Sequence, residues 1–274
     1  MRTSAMREFG GKVVVVTGAA GGLGSAFSRR FAAAGARIAL VDVGAERCAA
    51  IAAELRGRGV DCEAYACDVS DETQCRATME AIAARFGGID VLINNAGITH
   101  RSAFAATDTD VFRRVMGVNF FGPLYCTKAA LPSLIERHGL VITISSIAGI
   151  APLYGRTGYA ASKHAVMGLF GSLRGELAES GVGVLIVCPG FTRTALSTSA
   201  LDGDGSVTRH PQSTVGRLAE PASVADAVFD AATRGRSLLV LTAVGKATMI
   251  LHRLSPALYE WVMARALRRE LERG

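Results

Sequence analysis

The fold of this chain is constrained above all by an alternation. Continuous apolar, β-branched runs alternate with Ala-rich segments of helical spacing. The apolar runs stand at 13–17, 37–41, 61–66, 91–94, 140–145, 182–187 and 238–242. Runs without polar alternation suit strands buried on both faces, as in a parallel sheet covered by helices. The intervening segments, among them 25–34, 45–58, 72–86, 108–137 and 159–180, carry apolar residues at helical spacing. A β-α-β-α order implies right-handed crossovers. It predicts an α/β chain with one doubly wound sheet of about seven parallel strands and helices on both faces.

Composition supports one such domain. The chain has 274 residues, of which 50% are hydrophobic and 20% charged, enough to build a large core and too apolar for global disorder. The net charge is +6, but its arginines are scattered and no Lys/Arg run exceeds two residues, so no nucleic-acid partner is expected. Six cysteines form no C-x-x-C pair and no zinc-ligand spacing with His. They read as small core residues in a reducing, cytoplasmic setting, and no metal is expected. The polar first dozen residues do not resemble a secretory signal. The uncharged stretch 139–155 is interrupted by Ser145, Ser146, Gly149 and Pro152 and reads as a strand and a loop.

The first strand runs into Thr17-Gly18-Ala19-Ala20-Gly21-Gly22-Leu23-Gly24, which opens a helix. Glycines there permit a tight turn and close backbone approach, and the helix N-terminus presents its amides to a pyrophosphate. A Rossmann-type dinucleotide site follows. Asp42 closes the second strand. It can accept hydrogen bonds from the adenosine ribose and repel a 2′-phosphate, or simply cap a turn. Val43 follows it where a cation would favour NADP, so NAD is the expected cofactor, with Arg47 nearby to soften the choice.

Tyr159 and Lys163 sit four apart in Y-A-A-S-K, which puts both on one helix face. Ser146 precedes Tyr159 at the end of the fifth strand, the sheet edge where doubly wound folds bind ligands. A Tyr hydroxyl can protonate a developing alkoxide. Its free pKa of about 10 must fall, which the Lys ammonium favours. The Ser hydroxyl can donate to the oxyanion. A nucleophilic hydrolase is excluded by the lack of a G-x-S-x-G elbow.

The T-G-x-x-x-G-x-G spacing together with Ser146, Tyr159 and Lys163 resembles the short-chain dehydrogenase/reductase family over about residues 12–242. The resemblance implies an NAD(H)-dependent oxidoreductase that moves a hydride between nicotinamide and an alcohol or ketone carbon, with Tyr159 as general acid/base. It adds Asn119 to the catalytic set, as the residue that holds a helix kink and a water near the Lys. It gives Lys163 the nicotinamide ribose. Cofactor contacts are implied for Gly18, Gly22, Leu23, Gly24, Asp42, Val43, Asp68, Val69, Asn95, Ala96 and Gly97, and for Pro189, Gly190 and Thr192 in a segment resembling P-G-x-x-x-T. A homodimer or homotetramer is implied as well. The alternatives are a catalytically silent dinucleotide-binding sensor or scaffold, and an NADP-preferring carbonyl reductase.

Substrate is expected against Ser146, Leu153, Tyr154, Tyr159 and Phe191, with Thr99, His100, Ile147, Ala148 and Leu196 as further walls. Most of these are apolar and no Arg pair is poised for a carboxylate or phosphate, so the expected partner is a small-molecule substrate, an apolar alcohol or ketone of steroid-, terpenoid- or acyl-like character. Residues 196–217, with L-D-G-D-G-S, read as a long mobile substrate loop. Residues 1–244 form the dinucleotide-binding and catalytic domain. Residues 245–274 form a helical extension in which Pro256 opens a helix. That tail is basic and amphipathic. Packing over the pocket or at an interface is expected ahead of contact with a membrane surface.

Overall fold

The computed structural model of the chain describes residues 6–210 and 218–267. Seven strands form one parallel sheet in the order β3-β2-β1-β4-β5-β6-β7. They are β1 (Val13–Thr17), β2 (Arg37–Asp42), β3 (Cys62–Ala66), β4 (Val91–Asn94), β5 (Leu140–Ile144), β6 (Gly183–Cys188) and β7 (Leu238–Val240). Nine α-helices occur among the described residues: α1 (Gly22–Ala32), α2 (Ala45–Arg56), α3 (Glu72–Phe86), α4 (Thr109–Met116), α5 (Gly122–Glu136), α6 (Thr157–Glu176), α7 (Pro221–Thr233), α8 (Ala243–Leu254) and α9 (Pro256–Leu267).

Strand alternation divides the core into two layers. Val14 and Val16 of β1 join Phe27 and Phe31 of α1, Leu55 of α2 and Val228 of α7 on one face. Val13 and Val15 join Met79 of α3, Leu134 of α5 and Phe170 of α6 on the other. Burying each such large apolar side chain stabilises the fold by about 1.5–3 kcal/mol before entropy is counted. Strand order reverses between β1 and β4, which opens a crevice at their carboxyl ends.

Local chemistry sets the helix ends. Asp71 caps α3 by accepting the amide hydrogens of Thr73 at 2.8 Å and Gln74 at 3.1 Å, and Gly87 ends that helix at φ 77°. Thr242, expected to end the last strand, instead caps α8 by accepting the Gly245 amide at 2.9 Å.

The structure corrects the sequence reading in three further places. The single helix expected over 108–137 is two helices joined by a π turn at Gly117–Phe121. Helix α7, with Pro221 in its first turn, is one the sequence reading does not anticipate. The expected mobile loop is built as far as it is described. Leu201 bridges both His100 and Val207, Asp202 and Ser206 close a tight turn, and Leu201 packs with Val111 and Val115. Residues 211–217 of that loop and 268–274 of the tail lie outside the described residues.

Candidate active site

A cleft of about 560 Å³ runs along the carboxyl edge of the sheet. Its first end is the glycine turn after β1. Gly18 has φ 65°, and a Cβ there would stand 2.7 Å from the Ala96 Cα. A Cβ on Gly24 would lie 2.1 Å from the Gly18 carbonyl oxygen. Larger residues would therefore fill the cradle. No side chain caps α1 and no acidic residue sits in its first turn, so its first amides and positive end are left to an anion. The loop after β4 braces this turn. Asn95 Nδ2 donates to the carbonyls of Thr17 at 2.9 Å and Gly18 at 3.1 Å, and Thr17 Oγ1 accepts the amides of Asn95 and Ala96.

Asp42 takes the second of its two expected roles, that of a turn cap, and stands where the first would be played. Its carboxylate accepts the amides of Ala20 at 2.9 Å and Gly44 at 2.8 Å, so it caps the turn, and it also lines the cleft. Arg47 lines the cleft beside it. Asp68 and Val69 stand at the same end, with Asp68 Oδ1 accepting from Ser70. The cleft thus offers a glycine cradle, a helix N-terminus and a strand-end carboxylate in sequence. This set fits a pyrophosphate joined to a ribose.

At the middle of the cleft α6 brings Tyr159 and Lys163 onto one face. Lys163 is buried, and its Nζ donates to the Ile144 carbonyl at 2.9 Å and lies 5.7 Å from the Tyr159 ring centroid. Burial lowers its pKa to about 8. Burial raises the pKa of Tyr159, opposed by a hydrogen bond from Ser146 and by the positive charge of Arg156. Ser146 also accepts the Ala148 amide at 3.1 Å, which fixes it at the start of a short turn after β5.

Asn119 sits inside the π turn, fully buried and behind the cleft wall. Its Oδ1 accepts the Ile98 amide at 2.9 Å. Its Nδ2 donates to the Ile98 carbonyl and to Ser162 Oγ, both at 2.9 Å. Ser162 Oγ in turn donates to the Tyr159 carbonyl at 2.7 Å. Asn119 therefore ties the β4 loop to the helix that carries Tyr159 and does not itself line the cleft.

The other expected cofactor residues, Gly22, Leu23, Val43, Ala96, Gly97, Pro189, Gly190 and Thr192, all line the cleft. Thr192 is not the threonine nearest the cradle. Thr194, which completes P-G-x-x-x-T, faces the cradle, with its Cγ2 3.1 Å from where a Gly22 Cβ would be. The motif's own spacing marks Thr194.

At the far end Leu153 and Phe191 line the cleft with Ser146 and Tyr159, but Tyr154 does not. The tail adds wall residues there instead. Tyr259, Met263 and Leu267 of α9 form part of the wall, and the Tyr259 hydroxyl donates to the Pro152 carbonyl at 2.8 Å. His100 is not a wall residue either. It is fully buried beneath the site and held by hydrogen bonds. Two arginines do line the cleft, where the sequence reading expected no Arg pair to serve it. Arg101 and Arg156 are both buried and both line it. Arg101 donates to the His210 carbonyl, and Arg156 to the Tyr154 carbonyl at 3.4 Å. Nothing in the spacing of two isolated arginines marks them in the sequence.

Known proteins resemble this chain in sequence and fold. The family model described as short chain dehydrogenase matches residues 12–204. The mouse (Mus musculus) protein named Dehydrogenase/reductase SDR family member 7B is 38% identical over 264 residues, covering 94% of this chain and 82% of that protein. A short-chain dehydrogenase/reductase from Burkholderia phymatum, solved in complex with NAD, superposes with a TM-score of 0.83 at 27% identity, covering 92% of this chain and 96% of that one. An alcohol dehydrogenase from the archaeon Thermococcus sibiricus, complexed with 5-hydroxy-NADP, superposes at 0.74 with 27% identity, over 85% of this chain and 97% of that one. The fold, the glycine cradle and these matches together make the chain a member of the short-chain dehydrogenase/reductase family of oxidoreductases.

Proposed function

We propose that the chain is an NAD(H)-dependent alcohol dehydrogenase or ketone reductase in which Tyr159 is the general acid/base. The observation that carries this reading is the meeting of Ser146, Tyr159 and Lys163 at the middle of a cleft whose first end is a glycine cradle. Bound along that cleft, a nicotinamide dinucleotide would supply or accept the hydride. Gly18, Gly22, Gly24 and the start of α1 would hold its pyrophosphate, and Asp42 its adenosine ribose. Lys163 would hold the second ribose.

The chain's own groups supply the proton chemistry. In the reducing direction the Tyr159 hydroxyl donates its proton to the oxygen of the ketone, and in the oxidising direction the phenolate takes it back. Ser146 holds the same oxygen and orients it. Burial works against the phenolate. The Ser146 hydrogen bond and the charge of Arg156 work for it, and an ammonium on Lys163, 5.7 Å from the ring centroid, would act in the same sense.

The substrate end is mainly apolar, with Leu153, Phe191, Val262 and Met263 in the wall. Arg101 and Arg156 add positive charge to that wall. We therefore read the substrate as an apolar alcohol or ketone that also carries an anionic group. Arg47 beside Asp42 supports a second reading of the cofactor, in which NADP is accepted as well. Absorbance of the reduced nicotinamide, followed with a panel of neutral and anionic secondary alcohols and ketones, tests the proposal. Turnover confined to small neutral sugars contradicts the substrate reading, and no turnover with any alcohol or ketone contradicts the reaction.

A further inference from the structure

Helices α8 and α9 have two unlike faces. The inner face closes the far end of the cleft. The outer face carries large apolar side chains in water: Leu254 is 80% exposed, Trp261 62%, Ile250 56% and Leu258 50%. Residues of this type are ordinarily inside, and several of them contiguous on a surface mark a binding face. Lys246, Arg253 and Arg265 are exposed among them, and Glu260 is the one carboxylate between Ala243 and Leu267. The Arg265 guanidinium lies 5.9 Å from the Trp261 ring centroid.

Two further facts narrow the partner. Val244 and Val262 are exposed and also line the cleft, so the cleft reaches the surface at these two helices, beside the apolar face. Each helix is 12 residues long, and among the described residues no helix is long and apolar enough to cross a membrane. A short amphipathic pair with cations and an aromatic beside its apolar residues has the make-up of helices that lie in the plane of a bilayer surface.

We propose that the outer face of α8 and α9 docks on the surface of an anionic lipid bilayer. The cleft mouth then faces the acyl region, and an apolar substrate reaches Tyr159 without crossing water. The docking stands on the two helices alone. The route of the substrate rests on the function proposed above. The excess of cations favours an anionic lipid surface over a second copy of the chain, which would bring like charges together.

Trp261 is the single tryptophan of the chain and reports directly. The full chain is mixed with vesicles of phosphatidylcholine alone and of phosphatidylcholine with phosphatidylserine. The expected result is a blue shift of Trp261 emission and co-sedimentation with the anionic vesicles, weakened by salt. The double variant Leu254→Ser with Leu258→Ser keeps the reporter and should bind about tenfold or more weakly, as lost apolar burial dictates. Lys246→Glu with Arg253→Glu should lose the preference for anionic lipid. Neither pair touches the cleft, so turnover of a soluble alcohol should stay unchanged and shows that the variants fold. No spectral shift with either vesicle overturns the docking. So does a dimer in solution that the Leu254→Ser, Leu258→Ser pair dissociates, because the face then belongs to a second copy. Vesicle binding without turnover of any alcohol or ketone would leave the docking standing and sink the proposed function instead.

Discussion

The imidazole of His100 accepts the amide hydrogen of Gly158 at 2.9 Å, and that bond ties the loop after β4 to the first turn of the helix carrying Tyr159 and Lys163. Because Nε2 accepts, the ring proton is on Nδ1, which donates to Ser102 Oγ at 3.2 Å. Ser102 Oγ meets Thr107 Oγ1 at 2.7 Å, and Thr107 donates to the Ala103 carbonyl at 2.7 Å. Every polar group in this buried chain is satisfied, which makes His100 a strut of the site and not a substrate contact.

This strut should make the protein acid-sensitive. Burial, aided by the charge of Arg156, lowers the His100 pKa from 6.5 to about 4. Between those values the unfolded chain holds a proton that the folded chain does not. The stability His100 contributes is therefore complete above pH 6.5 and is lost as pH falls towards 4. His100→Ala leaves the Gly158 amide without its acceptor and should cost about 1–3 kcal/mol at pH 7. Urea unfolding midpoints across pH 4–7 should also flatten in the variant. A variant whose stability falls with acid as steeply as the parent's would assign the effect elsewhere.

Lys163 should oppose folding while it serves the site. Its pKa is lowered by burial from 10.5 to about 8. Between those values the unfolded chain again holds the extra proton, so stability rises with pH from about 8 to 10.5, and below 8 the buried charge carries its full cost. Lys163→Met should raise the melting temperature of the cofactor-free protein at pH 7 while abolishing turnover. That gain should vanish near pH 10.5, and a variant less stable than the parent at pH 7 would contradict it.

Arg101 and Arg156 should select for anionic substrates. Arg156→Gln and Arg101→Gln should each lower kcat/KM for an alcohol bearing a carboxylate or phosphate by about tenfold or more, the worth of one charge-assisted hydrogen bond. Neutral alcohols of similar size should be affected less. Equal losses on both substrate classes would mean that the two residues act only as braces.

Asp42 should set the cofactor preference. Asp42→Ala should raise the ratio of kcat/KM with NADP to that with NAD by about tenfold, because removing the carboxylate lifts repulsion of a 2′-phosphate while Arg47 stays. The carboxylate also holds the Ala20 and Gly44 amides. If both cofactors weaken equally, its role is that turn alone.

The parallel strands were legible because runs such as Val13-Val14-Val15-Val16 admit no solvent face. The cradle and the Tyr159–Lys163 pair were legible because turn geometry and helical spacing are local properties. What escaped depends on tertiary contact. The π turn around Asn119 answers to Ile98 and Ser162, both distant in sequence. The burial of His100 and Arg101 follows from how the β4 loop folds against 200–210, and an isolated polar residue carries no periodic mark of that. The tail's amphipathic pattern allowed packing over the pocket, at an interface or on a membrane surface, and only the tertiary contacts show that one face closes the cleft.

The central claim is that Tyr159 moves the proton. Removing one hydroxyl tests it with the rest of the cleft intact. In Tyr159→Phe, turnover of an alcohol that the parent oxidises should fall by about three orders of magnitude or more, within the range that a positioned acid/base supplies together with its part in holding the oxygen. Binding of NAD, followed by fluorescence or calorimetry, should change by less than tenfold, about 1.4 kcal/mol. Turnover in Tyr159→Phe within a few-fold of the parent would contradict the account.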